Sequence, residues 1–226
     1  MSDVLAVASA RGLLVLEDCA QAHGATHAGR PVGGWGHAGA WSFYPGKNLG
    51  ALGDGGAVTT GDPAIARRLR RLRNYGSERR YVHDESGANS RLDELQAALL
   101  SVKLTRLDAA NARRRAVARA YATGLAGLPL DLPADVPGHV WHLYTVRTHG
   151  RDALAAHLTQ RGVGVLVHYP VPPHMQAAYA HLGLRRGDLP IAESIADRTL
   201  SLPMGPHLDD TQVERVVGCI REFFDA

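Results

Sequence analysis

The chain has 226 residues, 45% of them hydrophobic, which is enough to bury a sizeable core in one large domain or two small ones. Its formal net charge of +3 falls short of the concentrated basic face that nucleic-acid binding usually requires, so no nucleic-acid partner is expected. The two cysteines are widely separated, which is typical of reduced thiols. The sequence also shows no basic and apolar leader and no apolar run of membrane-spanning length, so we expect a cytoplasmic protein with no membrane partner.

Helix and strand signals alternate along the first half of the chain, which is typical of an α/β protein. The predicted elements, in chain order, are a helix over residues 3–11, strands over 13–16, 40–44 and 56–60, and a helix that begins at Asp62 and Pro63 and ends before Gly76. The apolar run of the first strand is typical of a strand buried on both faces of a parallel sheet. Ligands bind at the carboxyl ends of such strands, so Asp18, which follows this one, marks a candidate site.

The pattern of the second half of the sequence predicts a smaller α+β domain, which a long helix connects to the first half. The predicted elements, in chain order, are a helix from 90 to about 125, a strand over 140–148, a helix over 151–160, a strand over 163–168, a helix over 191–199, a loop over 201–206 and a helix over 211–224. Ser90 and Asp93 have the spacing of a capping box at the start of the long helix. The length of that helix indicates a connection between two domains.

Lysine is rare in this chain, and one of its two lysines, Lys47, follows the second predicted strand. Arginine stays protonated and cannot form a Schiff base. Because the chain otherwise uses arginine for positive charge, we expect that Lys47 is kept for its amine. A pyridoxal phosphate site needs an amine to hold the aldehyde and a carboxylate to keep the pyridine nitrogen protonated. Lys47 and Asp18 therefore predict such a site.

Each of these residues also has a simpler interpretation. A lysine in a glycine-rich loop is usually solvated, and an aspartate before a small residue suits the N-cap of a helix. The arginine-rich stretch 67–80 is interpreted as a solvated helix face, with recognition of a nucleotide diphosphate as the alternative. The 12 histidines and two cysteines lack His-Glu-x-x-His and Cys-x-x-Cys spacing, so no metal is predicted.

Six blocks of the sequence carry a resemblance when they are taken in order. They are residues 17–24 (EDCAQAHG), 42–50 (SFYPGKNLG), 53–58 (GDGGAV), 87–98 (GANSRLDELQAA), 168–170 (HYP) and 201–204 (SLPM). Together they resemble the DegT/DnrJ/EryC1/StrS family of nucleotide-sugar aminotransferases. The resemblance implies an α/β fold of the aspartate-aminotransferase type (fold type I), with residues 1–107 as the C-terminal part of the large domain that binds pyridoxal phosphate. Residues 108–226 would form a linker helix and a small C-terminal α+β domain.

The family also implies an activity and a role for each matching residue. It implies a homodimer with active sites at the subunit interface, which transfers an amino group from glutamate or glutamine to a keto-sugar carried on a nucleotide. The implied cofactor contacts are Asp18 with the pyridine nitrogen, Ala20 with the ring face, Gln21 near the ring hydroxyl, Ser42 with the phosphate, Lys47 as the Schiff-base lysine and Asn89, from the partner subunit, with the phosphate. The implied substrate contacts are Tyr44, His168 and Tyr169.

The chain also departs from the family's pattern at its start. Full-length members carry a long N-terminal stretch before the block equivalent to residues 1–17, including a loop that grips the cofactor phosphate. We expect a longer product, a second chain that supplies this stretch, or a catalytically silent homologue that acts as a binding or dimerisation partner. A pyridoxal phosphate-dependent sugar dehydratase is the remaining alternative; in those members a histidine replaces the lysine, and here Lys47 is present.

Overall fold

The computed structural model of the chain describes residues 1–225, which form two compact units. The first unit contains residues 1–111 together with the short segment Val136–Val140, and the second contains Ala112–Asp135 and the chain from Trp141 onward. The division falls after Asn111, inside a helix, whereas the sequence predicts a domain boundary after residue 107.

The described residues contain seven α-helices, nine short strands and two short 3₁₀ helices. The helices are α1 (Ser2–Ala10), α2 (Pro63–Leu72), α3 (Glu94–Leu104), α4 (Leu107–Gly124), α5 (Arg151–Gln160), α6 (Pro190–Arg198) and α7 (Asp210–Asp225), and the 3₁₀ turns are Pro173–Met175 and Ala177–Leu182. The strands are β1 (Leu16–Asp18), β2 (Thr26–His27), β3 (Arg30–Pro31), β4 (Ala38–Ser42), β5 (Gly56–Thr59), β6 (Ser77–Arg79), β7 (Val82–His83), β8 (Tyr144–Arg147) and β9 (Thr199–Leu202).

The sheet that positions the candidate site has three strands in the order β1-β4-β5. β1 and β4 are parallel, with Asp18 opposite Ala40, and β4 and β5 are antiparallel, with Ser42 opposite Gly56. The strands predicted at 40–44 and 56–60 are thus confirmed, the first of them two residues earlier than predicted. Parallel pairing brings the carboxyl ends of β1 and β4 to the same edge of the sheet.

The prediction of a strand at Leu13–Leu16 buried on both faces is wrong. The strand begins at Leu16, and the side chains of Leu14 and Leu16 are 80% and 69% exposed. β1 is an outer strand, hydrogen-bonded only to β4, and Leu16 projects from a face that no helix or strand among residues 1–225 covers enough to bury it. The apolar run over residues 13–16, together with Val4 and Val7 of α1, lines an open groove of about 560 Å³.

Local signals at α1 and α2 are confirmed. α1 ends at Ala10, and Gly12 follows with a φ of +61°, a left-handed conformation that glycine adopts without strain. Asp62 caps α2, because its Oδ1 accepts hydrogen bonds from the backbone N–H groups of Ala64 and Ile65. Pro63 occupies the first helical position, where the missing N–H costs nothing.

The single long helix predicted from Ser90 to about Leu125 is wrong, since the structure divides it into α3 and α4. The break falls at Thr105, whose hydroxyl donates to the carbonyl of Val102. The predicted capping box is also wrong. The N–H of Ser90 donates to the carbonyl of Arg73, which keeps Ser90 in an extended segment beside the end of α2, and Asp93 makes no side-chain cap.

The second unit packs around an antiparallel pair, β8 and β9, in which Tyr144 lies opposite Leu202. Its core is formed by side chains with no more than 1% exposure, which are Val117, Tyr121, Leu125, Tyr144, Val146, Leu154, Leu158, Leu200 and Ile220. The helix predicted at 151–160 is confirmed at both ends as α5, and those predicted at 191–199 and 211–224 are confirmed as α6 and α7 within two residues.

Strand and loop predictions in this unit need three corrections. The strand predicted at 140–148 is shorter, covering only Tyr144–Arg147. No regular strand forms over 163–168, because only Leu166 pairs, through a single bridge to Ser201. Ser201 and Leu202, predicted as loop, belong to β9, where they are buried and hydrogen-bonded to β8.

Two further observations concern the described residues as a whole. No helix within residues 1–225 is long and apolar enough to cross a membrane. No group of three or more His, Cys, Asp or Glu side chains in the same residues is arranged to hold a metal ion.

Candidate active site

Asp18 and Ser42 lie at the carboxyl ends of the two parallel strands. Asp18 is opposite Ala40 in the register, and Ser42 lies two residues further along β4, so the three side chains point to the same face of the sheet. The Oδ1 atom of Asp18 accepts the N–H of Ala20 at 3.0 Å, and the Oγ atom of Ser42 accepts the N–H of Tyr44 at 3.3 Å. Each side chain thus shapes the turn that follows its strand, which places a carboxylate and a hydroxyl at one edge.

Lys47 is half-buried in the loop that follows β4. Its N–H donates to the carbonyl of Tyr44 at 2.9 Å, which forms a tight turn. The ammonium group of Lys103, on α3, donates to the carbonyl of Gly50 at the far end of the loop. Leu49 packs into a small core with Leu100 and Leu107. The loop is therefore held at several points, and the position of Lys47 is defined by the fold.

His23 lies against the loop that carries Lys47. The centroid of its ring is 5.2 Å from that of Trp41 and 5.9 Å from that of Phe43, and the side chain is buried. Burial lowers the pKa of His23, and the positive charge of Lys47 lowers it further. A hydrogen bond with the backbone of Ser42 would raise the pKa, but neither ring nitrogen has a partner within hydrogen-bonding distance, so burial and the charge of Lys47 set the direction. His23 is therefore neutral at pH 7 and close enough to Lys47 to sense its charge.

Two asparagines join the loop after β1 to the loop after β4. The Nδ2 atom of Asn111 donates to the carbonyl of His23 at 2.9 Å, and its Oδ1 atom accepts the Nδ2–H of Asn48 at 2.9 Å. Asn48 also donates to the carbonyl of Val140 at 2.8 Å. We call Asn48, Asn111 and the His23 carbonyl the asparagine bridge. Sequence reasoning missed it, because the partners of Asn111 lie 63 and 88 residues away along the chain.

Glu17 fixes the segment that leads into β4. Its carboxylate is buried and accepts three backbone N–H groups, from Gly33 at 2.8 Å, Trp35 at 2.7 Å and Gly36 at 2.8 Å. Burial alone would raise the pKa of Glu17, but these hydrogen bonds and the charge of Arg30 outweigh it and lower the pKa. Because side chains alternate along a strand, Glu17 points to the face opposite Asp18. It has a structural role that sequence reasoning did not assign.

The remaining residues that the sequence assigns to the cofactor are more dispersed. Ala20 and Gln21 lie in the turn after β1, the first half-buried and the second exposed. Asn89 is exposed and pairs with Asn74 through a single bridge. No hydrogen bond within residues 1–225 joins Asn89 to Asp18, Ser42 or Lys47. The structure therefore brings Asp18, Ser42 and Lys47 to one region of the first unit. Asn89 makes no hydrogen bond with any of the three within residues 1–225.

The residues assigned to the substrate lie in different units. Tyr44, 58% exposed, is in the first unit beside Lys47. His168 and Tyr169 belong to the second unit. The Nδ1 atom of His168 is hydrogen-bonded to the Oγ atom of Ser201 at 2.8 Å, whereas the Tyr169 ring is 71% exposed. Within its own unit, His168 is thus anchored to β9, and the ring of Tyr169 is exposed.

The buried His23 predicts a pH-dependent contribution to stability. The unfolded chain takes up a proton on this histidine near the ordinary pKa of about 6.5, whereas the folded chain resists it because the folded-state pKa is lowered. Stability should therefore fall as the pH drops below about 6.5, with a slope of at most about 1.4 kcal/mol per pH unit from this one proton. Urea unfolding measured between about pH 5 and pH 7 checks the slope.

Comparison with His23→Gln isolates this contribution. The variant should show a shallower pH dependence over the same interval, and replacement of the exposed His149 by glutamine should leave the slope unchanged. Equal slopes for the wild-type chain and His23→Gln would show that His23 is not held neutral by the fold.

The sequence is similar to sugar aminotransferases along nearly all of its length. It is 54% identical over 220 residues to the dTDP-3-amino-3,4,6-trideoxy-alpha-D-glucose transaminase of Streptomyces venezuelae, covering 96% of this chain and 58% of that protein. It is 46% identical over 223 residues to the UDP-N-acetyl-3-dehydro-alpha-D-glucosamine 3-aminotransferase of Acidithiobacillus ferrooxidans, covering 98% of this chain and 60% of that protein. The chain thus spans 58% and 60% of the lengths of these two relatives.

Solved structures show the same fold. The crystal structure of S. venezuelae DesV, described as a complex with a ketimine intermediate, matches with a TM-score of 0.96 and 53% identity, covering 100% of this chain and 62% of that one. A DegT DnrJ EryC1 StrS aminotransferase from Brucella abortus matches with a TM-score of 0.92 and 38% identity, covering 99% of this chain and 60% of that one. The predicted aspartate-aminotransferase type of α/β fold is thereby confirmed.

A family model supports the same relationship over almost the entire sequence. It is the model of the DegT/DnrJ/EryC1/StrS aminotransferase family, and it matches residues 1–221. The expected resemblance is confirmed, and the chain belongs to this family.

Proposed function

We propose that this chain carries the cofactor site of a pyridoxal phosphate-dependent aminotransferase whose substrate is a keto-sugar linked to a nucleotide. The observation that carries the proposal is the arrangement of Asp18 and Ser42 at the ends of adjacent parallel strands, with the Lys47 loop fastened beside them by the asparagine bridge. The transaminase relatives support the same assignment.

The chemistry of the donor set fits pyridoxal phosphate. Asp18 is exposed, and the only hydrogen bond to its carboxylate within residues 1–225 comes from the N–H of Ala20, so an oxygen remains available for a protonated ring nitrogen. The Ser42 hydroxyl can donate to a phosphate oxygen, and Lys47 supplies a primary amine for the aldehyde. Carboxylate, hydroxyl and amine, the three groups that the cofactor would use, thus all belong to the first unit.

When bound, the cofactor would supply an electron sink and a carrier for the amino group. The carboxylate of Asp18 would hold the proton on the pyridine nitrogen, through a charge-assisted hydrogen bond. The neutral amine of Lys47 would remove and return the proton at the reacting carbon of the substrate, as a general base and then a general acid. Ala20 would contact the ring face and Gln21 the region of the ring hydroxyl.

The phosphate contacts proposed here involve a second subunit. Ser42 would bind the phosphate from within the same chain, and Asn89 would reach it from the partner chain of a homodimer. Asn89 is exposed, and no hydrogen bond within residues 1–225 joins it to Lys47, which supports a role in the other subunit's site. The active site would then be complete only at a subunit interface.

Carbon 3 of the sugar is the position that we propose to be aminated. Five relatives that are 37–54% identical to the chain have names that place a keto or amino group at this carbon. Three of these names specify a dTDP-linked sugar and two a UDP-linked sugar. We therefore propose a nucleotide-linked 3-keto sugar as acceptor and glutamate or glutamine as amino donor. Tyr44, His168 and Tyr169 are the proposed substrate contacts.

The alternatives receive less support. A catalytically silent binding partner would have no need for the aligned carboxylate, hydroxyl and amine, all of which the chain keeps. A sugar dehydratase of this family would carry a histidine where Lys47 stands. Placement in the cytoplasm is part of the proposal, supported by the two cysteines, Cys19 and Cys219, which are both free thiols.

Replacement of Asp18 by asparagine tests the proposal. The variant keeps the shape of the side chain but loses the charge-assisted hydrogen bond to the ring nitrogen, worth about 1.5–3 kcal/mol. We expect the rate of amino transfer from glutamate to a nucleotide-linked 3-keto sugar to fall by roughly ten- to a hundredfold. The measurement is mass spectrometry of the aminated nucleotide sugar over time.

Asp84→Asn is the matched control, because Asp84 is an exposed aspartate of the same unit that is outside the site. It should transfer the amino group at the wild-type rate. An Asp18→Asn variant as fast as the wild-type chain would refute the role of Asp18. Absence of any aminated product with either donor, from the chain supplied with the N-terminal stretch of a full-length family member, would remove the proposed activity.

A further inference from the structure

The asparagine bridge is a rigid connection between the two loops that carry the proposed reacting groups. Asn111 is only 2% exposed and belongs to α4, so its side chain is anchored on a helix. On one side it holds the His23 carbonyl, in the turn that follows Asp18, and on the other it holds Asn48, the neighbour of Lys47. Movement of either loop relative to the other would break a buried hydrogen bond.

The bridge requires an amide at position 111. The His23 carbonyl needs a donor and the Asn48 Nδ2–H needs an acceptor, and a single asparagine side chain provides both. An aspartate would offer acceptors only, and a leucine of similar size would offer neither group. Both hydrogens of the Asn48 amide are used, on Asn111 and on the buried Val140 carbonyl, so the side chain of Asn48 has no freedom to reorient.

The surrounding chain leaves room for this contact. A Cβ atom on Gly24 would lie 2.7 Å from the Nδ2 atom of Asn111, so the glycine lets the amide approach the carbonyl of His23. Gly24 also has a φ of +82°, a conformation that residues with a side chain rarely adopt. His23 itself is fixed by its contacts with Trp41 and Phe43. The bridge is thus supported on both sides by packing.

We propose that Asn111 is a positioning residue, which acts through Asn48 to hold the amine of Lys47 at a fixed place relative to the carboxylate of Asp18. The inference rests on the proposed function, because it concerns the reactivity of Lys47 toward pyridoxal phosphate. Small displacements of a reacting group are costly, since a shift of about 1 Å can reduce a rate by about a hundredfold.

Lysine labelling tests this role without an assay of enzyme turnover. The chain is incubated with pyridoxal phosphate, the adduct is reduced with borohydride, and peptide mapping gives the amounts of pyridoxyl group on Lys47 and on Lys103, the only two lysines. In the wild-type chain Lys47 should take most of the label. In Asn111→Leu the rate of labelling at Lys47 should fall by roughly ten- to a hundredfold relative to Lys103.

A second variant and a stability control make the result specific. Asn48→Ala breaks the same bridge from the other loop and should shift the labelling ratio in the same direction, including if Asn111→Leu fails to fold. The double variant should lose little more than either single one, because the two residues act as a unit. Val117→Ala, a buried substitution in the second unit, should lower the melting temperature and leave the labelling ratio unchanged.

The outcomes separate this inference from the proposed function. If the wild-type chain labels Lys47 but the bridge variants keep the wild-type ratio of Lys47 to Lys103, the positioning role is overturned and the proposed function stands. If Val117→Ala shifts the ratio as much as Asn111→Leu does, the effect belongs to general stability and the positioning role is again overturned. If the wild-type chain does not label Lys47, the proposed function and the positioning role both fail.

Discussion

Replacement of Lys47 by arginine should abolish covalent attachment of pyridoxal phosphate and reduce amino transfer by at least about 10²–10⁴-fold. Arginine keeps the positive charge and much of the side-chain length, but its guanidinium stays protonated and cannot act as a nucleophile or a base. A positioned general base alone accounts for about 10²–10⁴-fold in rate. The measurements are the pyridoxyl content after borohydride reduction and the rate of amino transfer from glutamate.

Lys103→Arg is the control for the Lys47 variant. Lys103 is the other lysine of the chain, and its ammonium group already donates to the carbonyl of Gly50. An arginine can keep a hydrogen bond to that carbonyl, so this variant should retain both the label on Lys47 and the amino transfer. If the label instead disappeared with Lys103→Arg and persisted with Lys47→Arg, the assignment of the reactive amine would be wrong.

The positions of the candidate site residues relative to the strands are predictable from the sequence because they depend on local signals. Lys47, Ser42 and Asp18 each lie at or just after the end of a strand, and strand and turn signals there come from neighbouring residues. The N-cap of α2 at Asp62 and the end of α1 before Gly12 likewise depend on signals from neighbouring residues. A short stretch of sequence therefore contains the information that places these groups.

The features that the sequence does not reveal depend on distant contacts. Asn111 is 63 residues from Asn48 and 88 from His23, and nothing near it in the sequence identifies its partners. The exposure of Leu14 was not predictable either, because an apolar run reads the same whether or not another element covers it. The break between α3 and α4 contains no glycine or proline, so the sequence carries no local signal for it.

Replacement of Glu17 by glutamine should destabilise the first unit by about 1.5–3 kcal/mol at pH 7, the scale of a hydrogen bond to a charged group. Three backbone N–H groups share the Glu17 carboxylate, and an amide would present an N–H₂ group to at least one of them. Urea unfolding followed by tryptophan fluorescence measures the loss, since Trp35 and Trp41 both lie in the segments that Glu17 holds in place.

The effect of Glu17→Gln should also depend on pH in one direction. The pKa of Glu17 is lowered in the folded chain, so its carboxylate contributes stability above the ordinary pKa of 4.5 and loses that contribution as the pH falls through the folded-state pKa. The difference in unfolding free energy between the wild-type chain and Glu17→Gln should therefore shrink below about pH 4.5. Glu78→Gln, at an exposed position of the same unit, is the control and should leave the free energy of unfolding unchanged. A difference that stayed constant down to acid pH would mean that the charge of Glu17 does not stabilise the turn before β4, and that shape alone holds the strand carrying Ser42 in register.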